Sequence, residues 1–150
     1  MRRLQMKFPL KPLDLLQEPA VRAALNEAWK ESQPGLTGGH EEGGFVVLDS
    51  DNKLSVRRWP KGEGNLIRVP EHIDCAVDGL AIVATFHTHP NTGTEFLQEP
   101  SETDKRGVRD DADLKGALYI GEFVIAEEMV YLVTPSGAVR EIDRREELLS

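Results

Sequence analysis

Residues 80–86 read Leu80-Ala81-Ile82-Val83-Ala84-Thr85-Phe86, an almost wholly apolar run that ends abruptly at His87-Thr88-His89-Pro90. Strand side chains alternate between two faces, so a run that is apolar at both parities needs cover on both sides. A central strand between two layers is therefore expected, and a sheet with one face in water is not. The same alternation places His87 and His89, two residues apart, on one face at the strand's end. Two imidazoles carried in this way can reach one ion.

The rest of the chain supplies the layers. Pro19 suits a first helical position, and Val21, Leu25, Ala28 and Trp29 recur on one face at helical spacing before Ser32-Gln33-Pro34-Gly35 ends the pattern. One helix is expected in the first thirty residues, with Trp29 facing the core. The glycine-rich link over 35–44 matches neither GxGxxG nor GxxxxGK and leads into a strand at 45–48, so it reads as a turn allowing close backbone approach. Hairpin chemistry over 49–53 returns the chain as an alternating strand over 54–59, and a further short strand is expected at 65–69. The mixed segment 70–79 is assigned no element. Ser101-Glu102-Thr103-Asp104 reads as a helix start with Gly107 as its stop. Three strands follow over 117–126, 129–134 and 138–142, and the charged tail 144–150 is a helical turn or frayed.

Composition narrows the function classes. A chain of 150 residues, 39% hydrophobic and 29% charged, fits a single domain over 1–150 with a core that needs no staples. No apolar run approaches the roughly 18 residues a membrane helix requires. The basic start at Arg2, Arg3 and Lys7 is not followed by the apolar segment of a secretory signal, so a cytoplasmic protein without a membrane partner is expected. A net charge of -8 repels phosphate backbones, and nucleic acid is not expected as a partner. The single cysteine, Cys75, excludes an internal disulfide and any zinc site built on several thiolates. His72 lies three residues before it, but a buried structural thiol is the expected role.

Taken singly, the polar residues around His87 have ordinary explanations. Glu41 and Glu42 would be loop carboxylates, and Ser101-x-x-Asp104 a capping box. Those explanations leave their order unaccounted for: an acidic residue leads a strand, two histidines end the central strand, and a carboxylate opens the next helix. Zinc suits the set, since it takes nitrogen and oxygen ligands in a tetrahedron and catalytic sites keep one position for water. His87, His89 and Asp104 are the three candidate ligands. Glu41 is the candidate general base, and Ser101 the candidate hydroxyl donor to an oxyanion, a role weakened if capping consumes it. A cupin-type barrel would pair His87-x-His89 with Glu95 but needs a later histidine, and His89 is the last. Phosphoesterases on large barrels need a longer chain, and zinc deaminases need a Cys-x-x-Cys.

His87-Thr88-His89-Pro90, with Ser101-x-x-Asp104 after it and Glu41-x-x-Gly44-Phe45 before it, resembles the JAMM (MPN-plus) metalloprotease signature. The likeness covers residues 41–104. It implies an α+β (α/β) fold: a mixed, partly closed sheet flanked by helices, similar to cytidine deaminases. It also implies that His87, His89 and Asp104 bind zinc, that Glu41 is the base acting through the water on the metal, and that Ser101 helps hold the tetrahedral intermediate. The implied activity is hydrolysis of peptide or isopeptide bonds. Its substrates would be peptides or proteins, ubiquitin-like and small carrier proteins among them, although a ubiquitin-specific role is not supported by so short a chain. The alternative is an MPN-like binding or scaffold module with a structural or vestigial metal site.

Two departures from the pattern bear on these expectations. Ten residues separate Pro90 from Ser101, a longer loop than eukaryotic members usually have, and loops tolerate such length because closure entropy grows slowly. Substrate shape is affected more than metal binding. Glu42 is the reserve base, because a one-residue shift on an extended segment turns the side chain to the opposite face.

Overall fold

The computed structural model describes residues 10–36, 38–93 and 96–149. Among these residues the chain forms α1 (Pro12–Gln17), α2 (Pro19–Glu31), β1 (Gly43–Leu48), β2 (Leu54–Arg58), β3 (Ala76–Val77), β4 (Leu80–Thr88), α3 (Glu102–Arg109), β5 (Glu122–Ile125), β6 (Met129–Val133), β7 (Val139–Arg144) and α4 (Arg145–Leu149). The strands make one mixed sheet in the order β2-β1-β4-β5-β6-β7, with β3 also on β4. Only β4 and β5 run parallel; the other pairs are antiparallel. The expected α+β architecture, a partly open mixed sheet between helices, is the one observed.

The apolar run occupies the middle of that sheet. β1 pairs along one edge of β4 from Ala81 to His87, and β5 takes the other edge from Thr85 to Thr88. The strand runs past the last apolar residue, so His87 is held in the ladder. Val46 pairs with Ala84 and Val47 with Ile82, which leaves Val83 as the extra residue of a bulge. Both faces are buried, as a doubly apolar strand demands. On one face Ala84 and Phe86 pack under α1, α2 and α4 through Leu16, Val21, Leu25 and Leu149. On the other, Phe45, Val47 and Ile82 pack with Val108 of α3 and with Leu114 and Trp59. His87 and Thr85 open onto this second face, beside α3.

The helix expected from Pro19 forms, and its buried residues are Val21, Leu25, Ala28 and Trp29. Arg145 of α4 lies 4.6 Å above the Trp29 ring, a cation–π contact that closes the helical layer. Six-residue α1 is an addition, too short to show a periodicity in sequence. The strand expected at 65–69 does not form. No sheet edge meets that segment, and Leu66 and Val69 stay exposed at the rim of a cleft. Helix α3 does not stop at Gly107 but runs to Arg109. A glycine ends a helix by turning left-handed, and Gly107 does not do so.

The expected strand 117–126 shrinks to Glu122–Ile125, because Gly121 turns with φ 128° in a position where a Cβ would strike the Val133 carbonyl. The tail resolves as the helical turn α4, seated by buried Leu149. Cys75 is buried, its thiol directed to the Ile82 carbonyl at 3.4 Å, and burial pushes its pKa up, as suits a structural residue. Arg2, Arg3, Lys7 and Glu95 lie outside the described residues. Among the described residues no helix is long and apolar enough to cross a membrane.

Candidate metal centre

The end of β4 brings His87 opposite Gly43 of β1, where a side chain would meet the Phe86 carbonyl and the Trp59 ring. This close strand approach leaves His87 only 3% exposed. His89 lies two residues on, its ring centroid 5.2 Å from that of His87. Asp104 arrives from the first turn of α3. Its position is set by the capping box: Ser101 Oγ accepts from the Asp104 amide at 3.0 Å, and Asp104 Oδ2 accepts from the Ser101 amide at 2.8 Å. Capping and site-building are thus one arrangement.

The three side chains converge. His87 Nε2 is 3.3 Å from Asp104 Oδ1, and His89 Nε2 is 3.1 Å from Asp104 Oδ2. One ligand atom from each residue lies within 4.8 Å of the other two, near enough to close around one small ion. Two further features fit a cation. His87 Nε2 is buried and has no partner in hydrogen-bond geometry among the described residues. The opposite ring nitrogens are already committed, His87 Nδ1 to Glu122 Oε2 at 2.9 Å and His89 Nδ1 to the Gln98 carbonyl at 3.1 Å. Both partners accept, so each Nδ1 donates its proton; each Nε2 faces the Asp104 carboxylate, where a metal ion would take the place of a proton. Two imidazole nitrogens and a carboxylate are a donor set that zinc accepts.

Charge in the site is strongly coupled. Burial opposes the charged form of Asp104, but the imidazoles of His87 and His89 and the Ser101 amide hold its carboxyl well below the usual carboxylate range. Burial likewise opposes an imidazolium at His87, yet the carboxylates of Glu122 and Asp104 on either side push its pKa well up. Glu41 is pushed up to about 7, chiefly by burial; His87 counteracts this, and Asp104 and Glu122 add to it.

The two candidate bases separate cleanly. Glu41 lines the cleft beside His89, Ser101 and Asp104, its backbone held by Glu63 and Gly62. Glu42 turns the other way, to Arg58 at 2.6 Å and His40 at 2.5 Å. Around the cluster the surface is concave in two arms that share Glu41, Asn65, Ser101 and Asp104. One, of about 200 Å³, passes His89 and Phe96; the other, of about 500 Å³, passes Trp59, Ile67 and Leu114. Glu122 and Gln98 were not singled out in sequence. An acidic residue opening the apolar stretch Phe123-Val124-Ile125 was the available signal for Glu122; a backbone carbonyl leaves none for Gln98.

A mixed sheet between helices, with two histidines ending its central strand and an aspartate on the capped helix beside them, is the arrangement of a JAB/MPN domain. The family model described as prokaryotic homologs of the JAB domain (Prok-JAB) matches residues 17–145, and the chain belongs to that family. No curated protein and no solved structure gives a match to the chain.

Proposed function

We propose that this protein is a zinc-dependent hydrolase of peptide or isopeptide bonds. The observation that carries it is the convergence of His87 Nε2, His89 Nε2 and the Asp104 carboxylate on a cleft that Glu41 also lines. Zinc held by these three residues would act as a Lewis acid and lower the pKa of water to about 7.

The chain's own residues account for the remaining chemistry. Glu41, which lines the cleft beside His89, Ser101 and Asp104, is placed to take a proton from the attacking water and return it to the departing amine. The Ser101 oxygen accepts from the Asp104 amide, which leaves its O–H free to donate to the oxyanion that develops on the scissile carbonyl. The cap therefore does not consume the hydroxyl. A cleft with arms on both sides of the cluster suits an extended chain passing through, and the apolar rim at Leu66, Val69, Phe96 and Leu97 suits a peptide or protein rather than a small ion.

The test is cleavage of a panel of peptide and isopeptide substrates by the zinc-loaded protein. Cleavage that a chelator abolishes and zinc restores is expected. Activity indifferent to chelation, or no cleavage by a fully loaded protein, would contradict the proposal.

A further inference from the structure

We propose that Glu122 is a positioning residue for the metal centre: it orients His87 and is neither a ligand nor the base. This rests on the zinc site proposed above. Glu122 opens β5 directly opposite Thr85 of β4, two residue pairs before His87 meets Val124, so its side chain emerges on the face that carries His87. It is a carboxylate 9% exposed, in a strand whose other residues are Phe123, Val124 and Ile125. A charge so placed is unfavourable unless it is partnered. The partner is His87 Nδ1, at 2.9 Å.

Neighbouring groups do not compete for it. The Tyr119 hydroxyl, which lies close by, is bonded to Thr85 Oγ1 at 2.7 Å. The second buried carboxylate near the ligands, Glu41, makes no side-chain hydrogen bond among the described residues and lines both arms of the cleft. The two acids thus have different placements: Glu122 borders only the larger arm and is tied to the back of an imidazole, whereas Glu41 lines both arms with its carboxylate unbonded among the described residues. Accepting the Nδ1 proton fixes the ring's rotation, aims Nε2 at Asp104 and makes that nitrogen more basic. The Gln98 carbonyl does the same for His89, but as a backbone group it adds no charge.

The experiment is competitive zinc titration of the metal-depleted full chain with a chromophoric chelator, for wild type, Glu122→Ala and Glu122→Gln. Cobalt(II) absorption spectra and thermal unfolding of the metal-free proteins are recorded alongside. Glu122→Ala is expected to weaken zinc binding by about 10- to 100-fold. Glu122→Gln, which keeps shape and one acceptor oxygen, is expected to unfold like wild type, show an intermediate loss of affinity and shift the cobalt d–d bands. Wild-type affinity and spectra in Glu122→Gln together with wild-type affinity in Glu122→Ala would overturn the assignment. Failure of the wild type itself to bind either metal would instead overturn the metal site on which it rests.

Discussion

Ser101 and Asp104 bond to each other reciprocally, amide to carboxylate at 2.8 Å and amide to hydroxyl oxygen at 3.0 Å, at the N-terminus of α3. The carboxylate that faces the two histidines is thus preset by the helix cap. Removing the serine oxygen has two separable effects. Ser101→Ala should cost about 1 kcal/mol of stability, the usual loss for a cap, and reduce hydrolysis by about 100- to 1,000-fold through the lost oxyanion donor. Ser101→Thr keeps both functions and should stay near wild type. Unfolding curves and turnover, measured side by side, check this; equal turnover in the alanine variant would remove the oxyanion role.

Glu41→Gln should retain zinc while losing at least about 100-fold in hydrolysis, the scale of a general base. Its effect on the metal-free protein has a defined sign. A carboxyl raised from 4.5 to about 7 by folding binds its proton more tightly in the folded state. Wild type therefore loses stability as pH rises from 4.5 to 7, and the glutamine variant should be the more stable above pH 7, by at most about 3 kcal/mol. Below pH 4.5 the two should coincide. Glu42→Gln is the control: it weakens the contacts to Arg58 and His40 and should cost stability while leaving turnover close to wild type. The reverse pattern would make Glu42 the base.

His72 lies away from the candidate metal centre. Its Nδ1 is bonded to the Pro70 carbonyl at 2.7 Å and its Nε2 to Asp111 at 2.6 Å, and both partners are acceptors, so both ring nitrogens carry protons. Burial opposes that charge, but the bonds to Pro70 and Asp111 raise the pKa above 6.5. The stabilisation is fully present below pH 6.5 and is lost as pH rises through the higher folded-state value. In the metal-free form, wild type should exceed His72→Gln in melting temperature at pH 6, with the gap narrowing on the alkaline side. A gap that does not change with pH would contradict this.

Gly43 sits opposite His87 where an added Cβ would lie 2.5 Å from the Phe86 carbonyl and 2.6 Å from the Trp59 ring. Gly43→Ala must push β1 from β4 or displace the indole, and should destabilise by about 1–3 kcal/mol, the range of core overpacking. Chemical denaturation measures it. Because the shift acts on the strand that carries His87, weaker zinc binding should accompany the lost stability; unchanged values of both would show that the strands relax freely.

Much of this was legible because it depended on pattern or order. Helix α2 declared itself through Val21, Leu25, Ala28 and Trp29, all on one face, and β4 through an apolar run at both parities. His87, His89, Asp104 and Glu41 were legible as an ordered set, although Glu41 and Glu42 became distinguishable only once the register of the extended segment was seen. What escaped depended on partners distant in the chain. Asn65-Leu66-Ile67-Arg68-Val69 has a strand's composition but no edge to pair with, and composition does not report edges. Gly107 sits in a helix that does not turn left-handed there. Glu122 is 35 residues from His87 in sequence, and only the parallel pairing of β4 with β5 brings them together.

The proposed metal centre is tested most directly by zinc stoichiometry. Titration of the metal-depleted protein, with bound metal counted after gel filtration, is predicted to give one zinc per chain in wild type, and strongly reduced occupancy in His87→Gln, His89→Gln and Asp104→Asn. Undiminished zinc in all three variants, or none in the wild type, would contradict it.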